Sequence, residues 1–107
     1  MKQVDWERRR RNLRLLIAYK GTNATQLSKD AGLSPNTISQ FTSGRTSSLS
    51  EHTLSQIMPL LDMRGGTDLD TDNPIADPMI AIRNLLDDIP EEKLPALLQE
   101  LKARFGS

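Results

Sequence analysis

The feature that most narrows what this chain can fold into is the string from Gln26 to Gly44, QLSKDAGLSPNTISQFTSG. Leu27 and Ala31 stand four apart, on one face of a short helix read from about Gln26 to Ala31. Gly32 stops that helix by supplying the left-handed backbone that helix ends favour. Ser34 suits the cap of a third helix and Pro35 its first position, where a missing N–H costs nothing. Ile38 and Phe41 form the buried face of that helix, and Gly44 ends it. The small Ala31 lets two helices approach closely at a steep angle, with Leu33, Ile38 and Phe41 locking the pair. Asn36, Thr37, Ser39 and Gln40 are left on the outer face. A helix of this width fits the DNA major groove, where Asn and Gln amides pair best with adenine.

The flanks also read as helical. From about Asp5 to Lys20, Leu13, Leu16 and Ile17 recur at helical spacing, joined by Trp6, with Asp5 and Glu7 at the acid-favouring start. Thr25 and Asn23 compete as the cap of the next helix. Beyond a polar loop, Leu54, Ile57, Leu60 and Leu61 mark a helix from about Ser50 to Asp62, which Pro59 kinks or shortens. Residues 64–78 are rich in Gly, Asp and Pro and read as a flexible linker. In the tail, Met79, Ile82, Leu86 and Ile89 line one helix, and Leu94, Leu97, Leu98, Leu101 and Phe105 line a second. Pro95 places the regular start of that second helix near Leu94. The expected architecture is all-α: a head of four to five helices over 1–63, a linker over 64–78, and a helical tail over 79–107.

Composition excludes several function classes. The chain has 107 residues and no cysteine, which rules out disulfides and thiolate zinc sites, and its one histidine, His52, argues against a histidine-based metal centre. No nucleophile–base constellation, phosphate loop or ligand cluster stands out, so no cofactor and no enzymatic activity are expected. No apolar run approaches the ~20 residues of a membrane span, and the first residues lack a signal-peptide core. The expectation is a cytoplasmic protein without membrane contact. Net charge is zero, but residues 1–64 carry ten Lys and Arg against five Asp and Glu, whereas residues 65–107 carry four against nine. A basic head on an acidic tail is the asymmetry of a protein that meets DNA with one part only.

At Gln26, Leu27, Ala31-Gly32-Leu33-Ser34, Ile38-Ser39 and Gly44 the chain resembles the lambda-repressor/Cro-like helix-turn-helix family, also called the XRE family, over about residues 10–62. The resemblance implies a lambda-repressor-like head that binds double-stranded DNA through the major groove. It puts Gln26 where the family touches phosphate and braces the recognition helix. Ser34, Pro35, Asn36 and Gln40 fall where the family approaches base edges. Thr37, Ser43 and the loop of Arg45, Thr46 and Ser47 fall near phosphates. Pro35 has no side-chain donor, so readout there is apolar, as with a thymine methyl. Thr42-Ser43 departs from the acidic or Asn-containing stretch common before the family's glycine.

Each feature also has a plainer reading. The hairpin can serve protein contacts alone. Arg8 to Arg11 point around a helix, so they are read as solvated or ion-paired rather than as one DNA-facing patch. Glu91 and Glu92 are helix-dipole partners rather than catalytic acids. Two short amphipathic helices cannot bury their stripes alone. The tail therefore pairs with a second copy, folds onto its own head, or offers a groove to another protein, and a dimerisation segment over 79–107 is the favoured reading. The family resemblance implies a phage or prokaryotic transcriptional regulator, most often a repressor acting as a dimer on an inverted repeat. The competing reading is an interaction adaptor or an antitoxin-like partner-binding protein.

Overall fold

The computed structural model describes residues 3–106; Met1, Lys2 and Ser107 lie outside the described residues. These residues form six α-helices joined by turns and short 3-10 segments, with no strand among them. The head holds α1 (Trp6–Tyr19), α2 (Ala24–Asp30), α3 (Thr37–Thr42) and α4 (Glu51–Ile57), and the tail holds α5 (Pro78–Asp87) and α6 (Leu94–Phe105). The head's stripes converge on one core, except that Leu60, expected to face inward, is exposed on the 3-10 turn that follows α4. Leu13, Leu16 and Ile17 of α1 meet Leu27, Ile38, Phe41, Leu54, Ile57 and Leu61, all buried. Trp6 closes the top, its ring edge-on to Phe41 at 5.8 Å between centroids.

Caps set the helix starts. Asp5 accepts from the Arg8 N–H at 3.0 Å, and Ser50 accepts from the Thr53 N–H at 3.1 Å. For α2 the competition is won by Asn23, whose side chain accepts from the Gln26 N–H at 2.8 Å, so Thr25 lies inside the helix. The third helix begins two residues later than its Ser34-Pro35 signal suggested, at Thr37. Residues 34–37 form a turn closed by the Thr37 N–H on the Ser34 carbonyl. Gly32 takes φ +73°, and the Leu33 N–H returns to the Ser28 carbonyl at 2.8 Å, as a left-handed helix stop requires. At Pro59 the fourth helix tightens into a 3-10 turn over Met58–Leu61.

The segment expected to be a linker is instead a packed strap. Leu69 and Pro74 are fully buried, and a 3-10 turn over Gly66–Leu69 lies against α1 and α4. A Cβ on Gly66 would come 2.9 Å from both the Arg9 guanidinium and the end of Leu54, so a larger residue there requires those side-chain ends to shift. The Arg9 Nε and Nη2 donate to the two Asp70 carboxylate oxygens at 2.7 and 2.8 Å, while its guanidinium lies 4.9 Å from the centre of the Trp6 ring. That pairing holds the Asp70 carboxyl below the usual carboxylate range. Buried Asn12 donates to the Leu69 and Thr71 carbonyls at 2.8 and 2.6 Å. The strap's acceptors thus consume much of the α1 arginine charge that composition assigned to a basic head.

The strap also holds α5. Buried Asp68 accepts from the Arg64 N–H at 2.9 Å and from both ends of the Arg83 guanidinium, with Nη1 at 3.0 Å. Arg64 reaches Asp87 at 2.9 Å. Asp77 caps α5 through the Met79 N–H. The face that docks is therefore that of Ile80 and Arg83. Met79 and Ile82, expected to line the buried stripe, are 72% and 52% exposed. No residue of α6 is buried; it leans on the 3-10 turn Glu91–Lys93 and shares a groove with the end of α5.

Candidate nucleic-acid interface

The site is built from the junction of α2 and α3. Buried Ser28 joins the two helices: its hydroxyl donates to the Ala24 carbonyl at 2.9 Å and accepts from the Ile38 N–H at 3.1 Å. The Ile38 N–H is one of the first-turn donors a helix leaves without an internal partner, so a side chain from α2 caps α3. Below it, Leu27, Ile38 and Phe41 are buried and fix the roll of α3 about its axis.

The far end of α3 is held by Arg10. Its Nε donates to the Phe41 carbonyl at 2.7 Å and its Nη2 to the Thr46 carbonyl at 3.1 Å. The guanidinium also lies 4.9 Å from the Phe41 ring centre and pairs with Glu7. A cation on the carbonyls at a helix C-terminus is favourably placed against the helix dipole. The same contacts tie down the loop that follows Gly44.

The sequence-predicted residues sort by position. Asn36, Ser39, Gln40, Ser43 and Arg45 come together around one shallow depression of about 310 Å³ on the outer face of α3. Asn36, Gln40, Ser43 and Arg45 are exposed, and Ser39 is half-buried. Asn36 and Gln40 lie one turn apart, a separation that puts two amides on the same side of a helix. The hydroxyls of Ser39 and Ser43 donate to the carbonyls of Asn36 and Gln40, each at 3.2 Å. Ser34 and Pro35 are exposed in the turn ahead of α3, and Thr37 is half-buried in its first turn. Gln26 stands outside this depression, exposed on α2, with its amide donating to Asp30 at 2.7 Å. Ser47 is exposed. Thr46 is turned inward: its hydroxyl is buried and its carbonyl receives Arg10, so it shapes the loop rather than presenting a surface group.

Ser28 and Arg10 are positioning residues that the sequence reading did not single out. A serine four residues after Ala24 on a helix otherwise buried at Leu27 carried a faint signal for Ser28. Arg10 carried none, because its acceptors lie 31 and 36 residues away. The remaining arginines of the run are also engaged: Arg8 reaches the Asp70 carbonyl, and Arg11 the Asp72 carbonyl at 2.8 Å. This agrees with an ion-paired run rather than a single DNA-facing patch. Among the described residues no cluster of His, Cys, Asp and Glu could hold a metal ion, and no helix is long and apolar enough to cross a membrane.

A family model described as Cro/C1-type HTH DNA-binding domain matches residues 12–70. The matched span runs from the middle of α1 into the strap and ends at Asp70, beyond the end of α4. No curated protein and no solved structure matches the chain.

Proposed function

This chain belongs to the Cro/C1-type helix-turn-helix DNA-binding family, and from that premise we propose that it is a sequence-specific transcriptional repressor acting as a dimer on an inverted repeat. The observation that carries the reading is the α3 surface. A helix fixed from below by Leu27, Ile38 and Phe41, and at its two ends by Ser28 and Arg10, presents two amides and a guanidinium outward. A helix so held presents these side chains from a fixed backbone, and base readout by paired hydrogen bonds needs that placement.

In this reading the head sets α3 into the major groove. Asn36 and Gln40 hydrogen-bond base edges, Ser34 and Pro35 approach the bases from the turn, and Pro35 offers an apolar contact. Gln26, Thr37, Ser39, Ser43, Arg45 and Ser47 supply phosphate contacts at the rim; these position the head but read no sequence. The mechanism is occupancy without chemistry. One head touches too little DNA for tight binding, so two copies on two half-sites raise the affinity, with the tail over 79–107 joining them.

Binding titrations on a panel of single-base site variants test the assignment. Gln40→Ala is expected to change base preference at one half-site position, a loss of about 1–3 kcal/mol of discrimination. Arg45→Ala is expected to weaken all sites alike and flatten the salt dependence by up to about one unit. An unchanged base preference in Gln40→Ala removes that residue from the readout.

A further inference from the structure

The apolar seam of α6 has a geometry of its own. Leu94, Leu98, Leu101 and Phe105 follow one another at intervals of four, three and four, the a/d spacing by which two helices pack knobs into holes. Leu98, Leu101 and Phe105 are 52%, 42% and 83% exposed. Beside the seam an open apolar groove of about 880 Å³ runs between the end of α5 and α6, floored by Leu86, Leu94, Leu97 and Leu98. An exposed anchor at one end of a helix and an empty groove at the other can satisfy each other only between two molecules.

Charge selects the direction. The turn ahead of α6 carries Glu91 and Glu92 beside the single cation Lys93 and stays net negative, and the last turn of α6 carries Lys102 and Arg104. Side by side in the same direction, two such helices set acid against acid and base against base. In opposite directions, each acidic turn lies nearest the basic end of the other copy. The Arg104–Glu100 pair within one chain, at 3.2 Å with both side chains more than half exposed, is no obstacle, since such pairs contribute little.

We infer that two copies of this chain pair through α6 in antiparallel register, Leu98 of each opposite Leu101 of the other and Phe105 of each seated on the Leu94 end of the other's groove. The interface is isologous and closes as a two-fold dimer, leaving no seam for a third copy. The inference rests on the dimeric reading above and adds the surface and the direction.

The chain has no cysteine, so introduced ones report without background. Full chains carrying Leu94→Cys and Phe105→Cys are prepared, mixed, oxidised mildly and resolved under denaturing, non-reducing conditions, beside each variant alone. Disulfides form only across Cα separations up to about 7 Å. In the antiparallel pair, two copies of the same position lie about 16 Å apart along the axis, at 1.5 Å of rise per residue. The expected result is a covalent dimer in the mixture and none from either variant alone. Self-cross-linking of each variant would show parallel helices and overturn the inference. If the unaltered chain sediments as a dimer but the mixture forms no cross-link, the inference falls and the dimeric reading survives. If the unaltered chain sediments as a monomer at every concentration, both fall.

Discussion

The chain has two phenylalanines, and they stand at opposite extremes: Phe41 is fully buried at the centre of the head, while Phe105 is 83% exposed at the end of the tail. Both lie on short amphipathic helices with comparable apolar spacing. The head buries its stripes because four helices and a strap surround one point. The tail helix α6 has a stripe of equal regularity and buries none of it. Amphipathic spacing therefore announces that a face can be covered without saying by what, and in this molecule the two regions differ: the head covers its own stripes, whereas the stripe of α6 stays uncovered within the chain and is left to the second copy proposed above.

The sharpest test of that contrast is to truncate both rings. Phe41→Ala is expected to destabilise the head by about 3–5 kcal/mol, read by denaturant or thermal unfolding, because a buried aromatic leaves a cavity that its neighbours fill only in part. Phe105→Ala is expected to leave the unfolding of the head unchanged and to weaken self-association, read by sedimentation. Equal losses of stability in the two variants would erase the distinction.

A second, smaller effect concerns the strap. Asp70→Ala strands the buried Arg9 guanidinium and is expected to cost about 2 kcal/mol. The pH dependence follows from the lowered Asp70 pKa, against an ordinary value of 3.8. The unfolded carboxyl binds a proton more readily than the folded one. Its contribution is thus complete above about pH 5 and is lost as pH falls through the folded-state value. Unfolding measured from pH 7 downward should show the head losing stability in the acid range, with that part of the loss absent in Asp70→Ala.

The smallest effect expected on stability is at the junction of α2 and α3. Ser28→Ala removes the acceptor of the Ile38 N–H and is expected to cost about 1 kcal/mol. Because Ser28 positions α3 without facing outward, its loss should weaken binding to all DNA sites by a similar factor and leave the base preference in place. A changed preference at a single position would mean that Ser28 touches DNA.

The head was largely legible because its signals are local. Spacing placed Leu13, Leu27, Ile38, Phe41 and Leu54, and Gly32 ended α2. The corrections come where a distant partner decides. Asn23 and Thr25 were equal as caps until the backbone chose Asn23. Ser34 and Pro35 carry good start signals for α3, yet the Ile38 N–H finds its acceptor on Ser28, and the helix begins at Thr37. The strap misled most. Gly, Asp and Pro over 64–78 have the composition of a solvated tether, whereas Asp68 and Asp70 are acceptors for arginines on two separate helices. Composition registers such aspartates as charge to be solvated and cannot show a pair that spans 61 residues. The same pairing decides the tail, where Arg83 on Asp68 rolls α5 so that Ile80 docks and Met79 faces outward. The outer face of α3 was legible from its polar residues, and the depression gathers Ser39 and Gln40 of the helix with its caps Asn36 and Ser43 and with Arg45 of the loop. Ser28 and Arg10, which hold that face in place, act through contacts that no local pattern announces.

The claim on which the rest depends is that the α3 surface reads a DNA sequence. Selection of bound sites from a random duplex pool by the full chain, at near-physiological salt, tests it most directly. The account predicts enrichment of an inverted repeat whose half-sites lie about one helical turn apart. Weak binding with no enriched sequence, abolished by moderate salt, would contradict it and turn attention to a protein partner.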